Sequence, residues 1–207
     1  MIQSIAEPYL AYLKTNGHRP TTVFQFMQGL EKEETEFYES YNSFDALDKA
    51  VFQQFFDDIM ASLSADETYT QYDAGQQLAA VYYTWFEKLK LERSLVKVMN
   101  KYDTGFFWDT NYTDGTEEQF KATVKNILDD GIDNGQVADR WFVNDWYPQL
   151  FWNQARYILH VWLHDNSKEF SRTDATIEKL VRFSFDLIQP NFIDSGWDFT
   201  QYIFKGK

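Results

Sequence analysis

Apolar residues recur along this chain at steps of three and four, the spacing of one face of an α-helix, and runs of strict alternation that would mark half-buried strands are nearly absent. Phe44, Leu47, Val51, Phe55 and Ile59 form the clearest stripe. It predicts a long helix over about 44–63, capped by Asn42-Ser43. Leu78, Val81, Tyr82, Trp85, Phe86 and Leu89 predict another over about 73–91. Shorter helices are expected over about 5–16, from Pro20-Thr21-Thr22 onward, and over about 32–38, 92–102 and 116–133. Gly17 is placed to end the first in a left-handed cap. Two long helices, about 145–164 and 172–189, are separated by Asp165-Asn166-Ser167 and predict an antiparallel hairpin that Pro190 closes. Asp103 to Gly115 reads as a loop, and an aromatic tail from Asn191 is expected to pack back on the body. The sum is an all-α protein of about nine helices.

Composition narrows this further. Aromatic residues make up 19% of the 207, which excludes a disordered chain, and Gly 9 and Pro 4 exclude low-complexity folds. With Cys 0, disulfides, thiol catalysis and cysteine metal sites are excluded. The first residues lack the basic and apolar regions of a signal peptide, and no apolar run reaches membrane-spanning length, so a cytoplasmic location is expected. The formal net charge of −13 opposes nucleic acid and anionic membranes over most of the surface.

Residues 17–51 carry the one informative motif. Gly17 is followed by Thr21-Thr22-Val23, then Phe37-Tyr38-Glu39-Ser40-Tyr41, then Asn42-Ser43-Phe44-Asp45-Ala46-Leu47 and Ala50-Val51. This order and spacing resemble the DNA-binding segment of the TetR family of bacterial repressors. The resemblance implies a small head at about residues 1–45, a helix-turn-helix with Val23, Phe26, Met27, Leu30, Phe37 and Tyr41 as its core. It implies a body at about 46–207 that binds a small molecule and dimerises through its last two helices. The family's DNA-contact positions fall on Thr22, Glu33, Glu34, Thr35, Tyr38 and Glu39.

The departures from the family pattern concern charge. Glu31 stands where the family usually has glycine in the turn between its second and third helices. Glu33-Glu34-Thr35-Glu36 replaces a Ser-Lys-Gly-Thr type of sequence, and Phe44 stands where a lysine commonly meets a phosphate. Residues 1–60 hold ten acidic against four basic residues, a net charge of −6. Phosphate neutralisation supplies most non-specific DNA affinity, and a glutamate cluster does the reverse. Each like-charge pair at about 6 Å costs roughly 2–3 kcal/mol at an effective dielectric near 20, before salt screening. The expectation is a degenerate head that keeps the fold and has lost DNA binding, with its acidic face open to a protein partner. A ligand-responsive repressor of ordinary type remains the alternative, in which Lys14, His18 and Arg19 would supply the basic surface.

The body is rich in aromatic residues, which fill cores and also line apolar pockets between helices. Tyr82, Trp85, Phe86, Phe107, Trp108, Trp152, Tyr157 and His160 are the ligand-pocket candidates, and an apolar small molecule or lipid is the expected ligand. Ile158, Trp162, Ile177, Leu180, Val181, Phe185 and Ile188 are the candidates for a homodimer interface. His160 and His164 stand one turn apart, but Val161, Trp162 and Leu163 replace the glutamate of a His-Glu-x-x-His motif and no third ligand is evident. There is no glycine-rich phosphate loop, no Gly-x-Ser-x-Gly and no Glu-x-x-His pair. No catalytic residue, metal or cofactor is expected, and the protein is not expected to be an enzyme.

Overall fold

Gly17, with φ +67°, takes the left-handed conformation that closes α1 (Gln3–Asn16), and its N–H donates to Leu13 O at 2.9 Å. The computed structural model describes residues 3–102, 111–140 and 144–190. The other helices are α2 (Val23–Gly29), α3 (Glu34–Tyr38), α4 (Phe44–Ser64), α5 (Ala74–Leu91), α6 (Arg93–Tyr102), α7 (Asp114–Asp133), α8 (Tyr147–Leu163) and α9 (Ser171–Ile188). Single 3₁₀ turns lie at Tyr69–Gln71, Asn111–Thr113, Asn144–Trp146 and Lys168–Phe170. The described residues are all-α, with nine α-helices and no strand.

The caps explain the starts. Thr22 Oγ1 accepts from Gln25 N–H at 3.1 Å at the head of α2, and Ser43 Oγ accepts from Ala46 N–H at 3.1 Å at the head of α4. Asp114 and Gly115 are helical rather than loop, because Asn111–Thr113 turns directly into α7. Asp145 and Trp146 lie in a 3₁₀ turn ahead of α8, whose first turn holds Pro148. The aromatic tail beyond Pro190, with Phe107 and Trp108, lies outside the described residues.

The chain folds as two compact units. The first takes Met1–Ile59 and Trp85–Glu118, and so contains α1 to α3, most of α4 and α6. Its centre is aromatic. Phe26, Phe37, Phe44 and Tyr9 pack in one cluster, with Tyr9 stacked on Phe44 at 5.4 Å and 9°. A second cluster joins Phe52, Phe56, Trp85 and Tyr112, with ring separations of 5.0 to 5.8 Å.

The second unit takes Met60–Thr84 and Gln119–Lys207. There α8 and α9 form an antiparallel hairpin, with Gln154 meeting Ser184, Phe151 meeting Phe185 and Trp162 meeting Phe170. Both ends of α9 are tied. Asp165 accepts from Thr173 N–H and Oγ1–H at 2.9 and 2.7 Å near its start. At its end the buried Arg140 donates to the carbonyls of Leu187, Ile188 and Gln189, filling acceptors that a helix terminus leaves open. Gly131 is required by close approach, since a Cβ there would lie 2.9 Å from Val137 Cγ2 and 3.0 Å from Ala74 Cβ.

Candidate functional site

The head's small core is built as its sequence predicts. Phe26, Met27, Phe37 and Tyr41 are buried, while Val23 and Leu30 are half-buried. The presented surface is the point of interest. Thr22, Glu33, Thr35, Tyr38 and Glu39, which the resemblance assigns to DNA contact, are exposed, and Glu34 is half-buried. Tyr38 O–H donates to Glu34 at 3.3 Å, and Glu36 accepts from Glu33 N–H at 3.1 Å and from Lys32 at 3.0 Å. The hydrogen bond from Lys32 holds the Glu36 carboxyl below its usual range. The first turn of α3 thus carries Glu34 and Glu36 where a helix N-terminus would otherwise favour a phosphate.

The turn before α3 takes a conformation that favours glycine, with a glutamate in it. Glu31 has φ +56°, the left-handed region in which a side chain costs about 1–2 kcal/mol. Glu31→Gly is therefore expected to stabilise the protein by about 0.5–1 kcal/mol, the relief of strain less glycine's larger loss of chain entropy. Urea unfolding checks this, and a lower midpoint would show that the Glu31 side chain does something the backbone argument omits.

All four basic residues of 1–60 are held in ion pairs. Lys14 meets Glu92 at 2.6 Å, Lys32 meets Glu36 at 3.0 Å and Lys49 meets Asp114 at 2.8 Å. These pairs are largely exposed and each contributes little, so a competing phosphate could draw them off at low cost. Arg19 is different. Its side chain is 14% exposed, it meets Asp45 at 2.7 Å, and it grips Asp48, which is fully buried. Tyr9 O–H donates to the other Asp48 oxygen at 2.8 Å, and the guanidinium lies 4.8 Å from the Tyr102 ring centre. Burial pushes the Asp48 carboxyl up, against the opposing pull of Arg19 and Tyr9. Burial and Asp48 together push the Tyr9 hydroxyl far above its usual range. Of the basic surface that a repressor would need, only the exposed His18 is left outside an ion pair, and its Nδ1 lies 2.7 Å from Arg19 O.

Phe44, at the position that the resemblance assigns to a lysine near phosphate, packs into the aromatic cluster. Tyr9 is fully buried and stacked on the same ring.

The aromatic ligand-pocket candidates divide between the units. Tyr82 and Trp152 belong to the second, where both pack on Phe120 and Tyr82 O–H donates to Phe151 O at 2.9 Å. Trp85 and Phe86 belong to the first, packed together beside Phe52 and Phe56. All four are buried. Tyr157 is 39% exposed and stands apart from them. His160 is half-buried with its ring 4.4 Å from that of His164, and burial and that neighbour lower its pKa. Among the described residues no three His, Asp or Glu side chains converge as a metal site would require.

The dimer candidates Ile158, Trp162, Ile177, Val181, Phe185 and Ile188 are buried within the chain's own second unit, and Leu180 is half-buried. The apolar side chains that α8 and α9 leave exposed are others, namely Leu150, Tyr157 and Phe183. Leu150 and Tyr157 are seven residues apart and share a helix face.

Two open spaces are lined by described residues alone. In the first unit, a cleft of about 300 Å³ runs between α1, α4 and α5. Ala6, Leu10, Ala50, Val51 and Phe55 give it apolar walls. In the second unit a more polar groove of about 360 Å³ is lined by Asp73, Gly75, Gln136 and Phe185 among others. Ala6 and Ala50 are the only sequence sign of the cleft, small side chains where neighbouring turns carry large ones.

An all-α fold, with nine α-helices among the described residues, is the class that the structure defines. The family model for the tetracyclin repressor-like C-terminal domain matches residues 77–203, well over half of the chain. The protein belongs to the TetR family, whose members are regulators and generally not enzymes. No curated protein matches the chain. No described helix is long and apolar enough to cross a membrane.

Proposed function

We propose that this TetR-family protein binds an apolar small molecule in its C-terminal helical domain, about residues 46–207, and that its head, about residues 1–45, no longer binds DNA. The head is instead a docking surface for a basic protein partner. The observation that carries the loss of DNA binding is the fate of the cations. Arg19, four residues ahead of α2, is locked to the buried Asp48, and the three other basic residues of 1–60 each face a carboxylate. The exposed aromatics Phe24 and Tyr38, the latter bonded to Glu34, and the exposed Glu33 and Glu39 suit a basic peptide better than a phosphate backbone. The second reading, a ligand-responsive DNA-binding repressor, is favoured by family membership and by the left-handed turn at Glu31.

The body reading rests on the family and on the aromatic packing of the second unit. A ligand entering there must part the contacts around Tyr82, Phe120 and Trp152. A homodimer through α8 and α9 would bury Leu150, Tyr157 and Phe183 together with Leu180.

Titration of the purified protein against labelled DNA, including the region upstream of its own gene, separates the two readings. No binding is expected at low salt, where phosphate contacts are strongest. Affinity that falls steeply with added salt would establish real phosphate contacts and return the protein to the repressor class. Native mass spectrometry of the same preparation is expected to give a dimer carrying a co-purified apolar molecule; a bare monomer at micromolar concentration would remove both body proposals.

A further inference from the structure

The cleft between α1, α4 and α5 has a chemistry of its own. Its rim carries three carboxylates, Glu7, Asp58 and Glu92, against one ammonium, Lys88. Lys88 is already bound to Asp58 at 3.0 Å, and Lys14 approaches Glu92 from outside the lining. Glu7 is exposed and in no ion pair among the described residues. Inside, the walls are apolar and Tyr41 is only 6% exposed. The Tyr41 hydroxyl is buried with no hydrogen-bond partner among the described residues. Such a group is costly unless something arrives to bond it. The cleft's 300 Å³ sits at the small end of the range for ligand sites.

We infer that this cleft of the first unit is a binding site for a small amine with an apolar body, distinct from any pocket in the second unit. The apolar body lies against Leu10, Val51 and Phe55. The ammonium group sits at the acidic rim beside Glu7, and a polar atom of the ligand meets the Tyr41 hydroxyl. An anion is disfavoured, because the one cation of the lining is neutralised by Asp58. The site joins helices of different roles. Glu7 and Tyr41 come from the head segment, while Val51 and Phe55 come from the long α4. A bound amine therefore stabilises the packing of α1 and the α3–α4 corner on α4, by linkage.

Isothermal titration with 2-phenylethylamine, tyramine and hexylamine, with phenylacetate as the anionic control, tests this. The expected result is saturable binding of at least one amine, at least tenfold tighter than phenylacetate. The surface variant Glu7→Gln should weaken it threefold or more, and Ala50→Leu, which fills the cleft, tenfold or more. Tyr41→Phe should weaken tyramine, the probe with a second polar group, while leaving the melting temperature unchanged or raised, since the lost hydroxyl has no partner among the described residues. The inference is overturned if none of the three amines binds saturably, if phenylacetate binds as tightly, or if Glu7→Gln and Ala50→Leu both leave amine affinity unchanged. A negative result with fatty-acid probes of the second unit does not bear on it.

Discussion

Asp48→Ala is expected to destabilise the protein by about 3–5 kcal/mol, the cost of breaking a buried, hydrogen-bonded charge pair from one side. For a chain of this length that lowers the melting temperature by roughly 10 °C. The substitution leaves the Arg19 guanidinium in a site that is only 14% exposed, with the more exposed Asp45 as its remaining partner. It also strips the Tyr9 hydroxyl of its acceptor inside the aromatic cluster. Replacing both charges by apolar residues, Arg19→Met with Asp48→Leu, should cost less than the single change, because the penalty lies in the orphaned charge rather than in the lost pair. A double-mutant cycle of thermal or urea unfolding measures that coupling. If Asp48→Ala costs under 1 kcal/mol, the pair is a weak surface contact and Arg19 is open to a phosphate. The pH dependence has a definite sign. Burial raises the Asp48 carboxyl above its ordinary value, so the folded chain holds this proton more readily than the unfolded one. Protonation of Asp48 therefore favours the folded state, and its contribution falls as pH rises through the folded pKa.

How much of this was legible in the sequence depends on what kind of information each feature carries. Periodicity locates the buried face of a helix, so the stripe Phe44, Leu47, Val51, Phe55, Ile59 placed α4 correctly. Cap residues located starts, as Thr22 and Ser43 show. What a stripe does not encode is what covers it. Ile158, Trp162, Ile177 and Val181 read equally well as an internal seam or as a dimer patch, and within this chain they form the seam. The aromatic candidates had the same ambiguity, and Trp85 and Tyr82, three residues apart on α5, pack in different units. The Arg19–Asp48–Tyr9 network did leave a trace. Asp48 falls on the apolar phase of α4, one residue beyond Leu47 and three before Val51, and a charge on a buried stripe demands a partner. Which partner could not be read, because Tyr9 and Arg19 lie 39 and 29 positions away in the chain. The cleft was invisible for a related reason, since a cavity is a property of several helices at once.

Asp165→Ala is expected to cost about 2–4 kcal/mol and to loosen the α8–α9 hairpin in particular. Asp165 is 2% exposed and accepts four hydrogen bonds, from Ser167 N–H at 2.8 Å and Oγ–H at 2.6 Å and from Thr173 N–H at 2.9 Å and Oγ1–H at 2.7 Å. The two residues just ahead of α9, Glu169 and Phe170, take left-handed φ values of +55° and +60°, a conformation costing about 1–2 kcal/mol for each. Bonds that fix Ser167 and Thr173 on either side are what hold that link in place. Burial works against the ionised carboxyl, but the Ser167 and Thr173 hydrogen bonds outweigh it and bring its pKa down to about 2. The sign follows from linkage. A depressed folded pKa gives stability that is present above the ordinary carboxylate value and is lost as pH falls toward 2. The size is about 2 kcal/mol, from a shift of nearly two units at 1.36 kcal/mol each. Asp48 acts in the opposite sense over acid pH, so the two carboxylates can be separated by experiment. Wild type should lose stability between about pH 4 and 2, and Asp165→Asn should flatten that slope while Asp48→Asn should not. Hydrogen exchange at the first turn of α9 should rise in Asp165→Ala before exchange elsewhere does. An unchanged acid slope in Asp165→Asn would mean that other carboxylates govern acid unfolding, and that the α8–α9 link is held by packing alone.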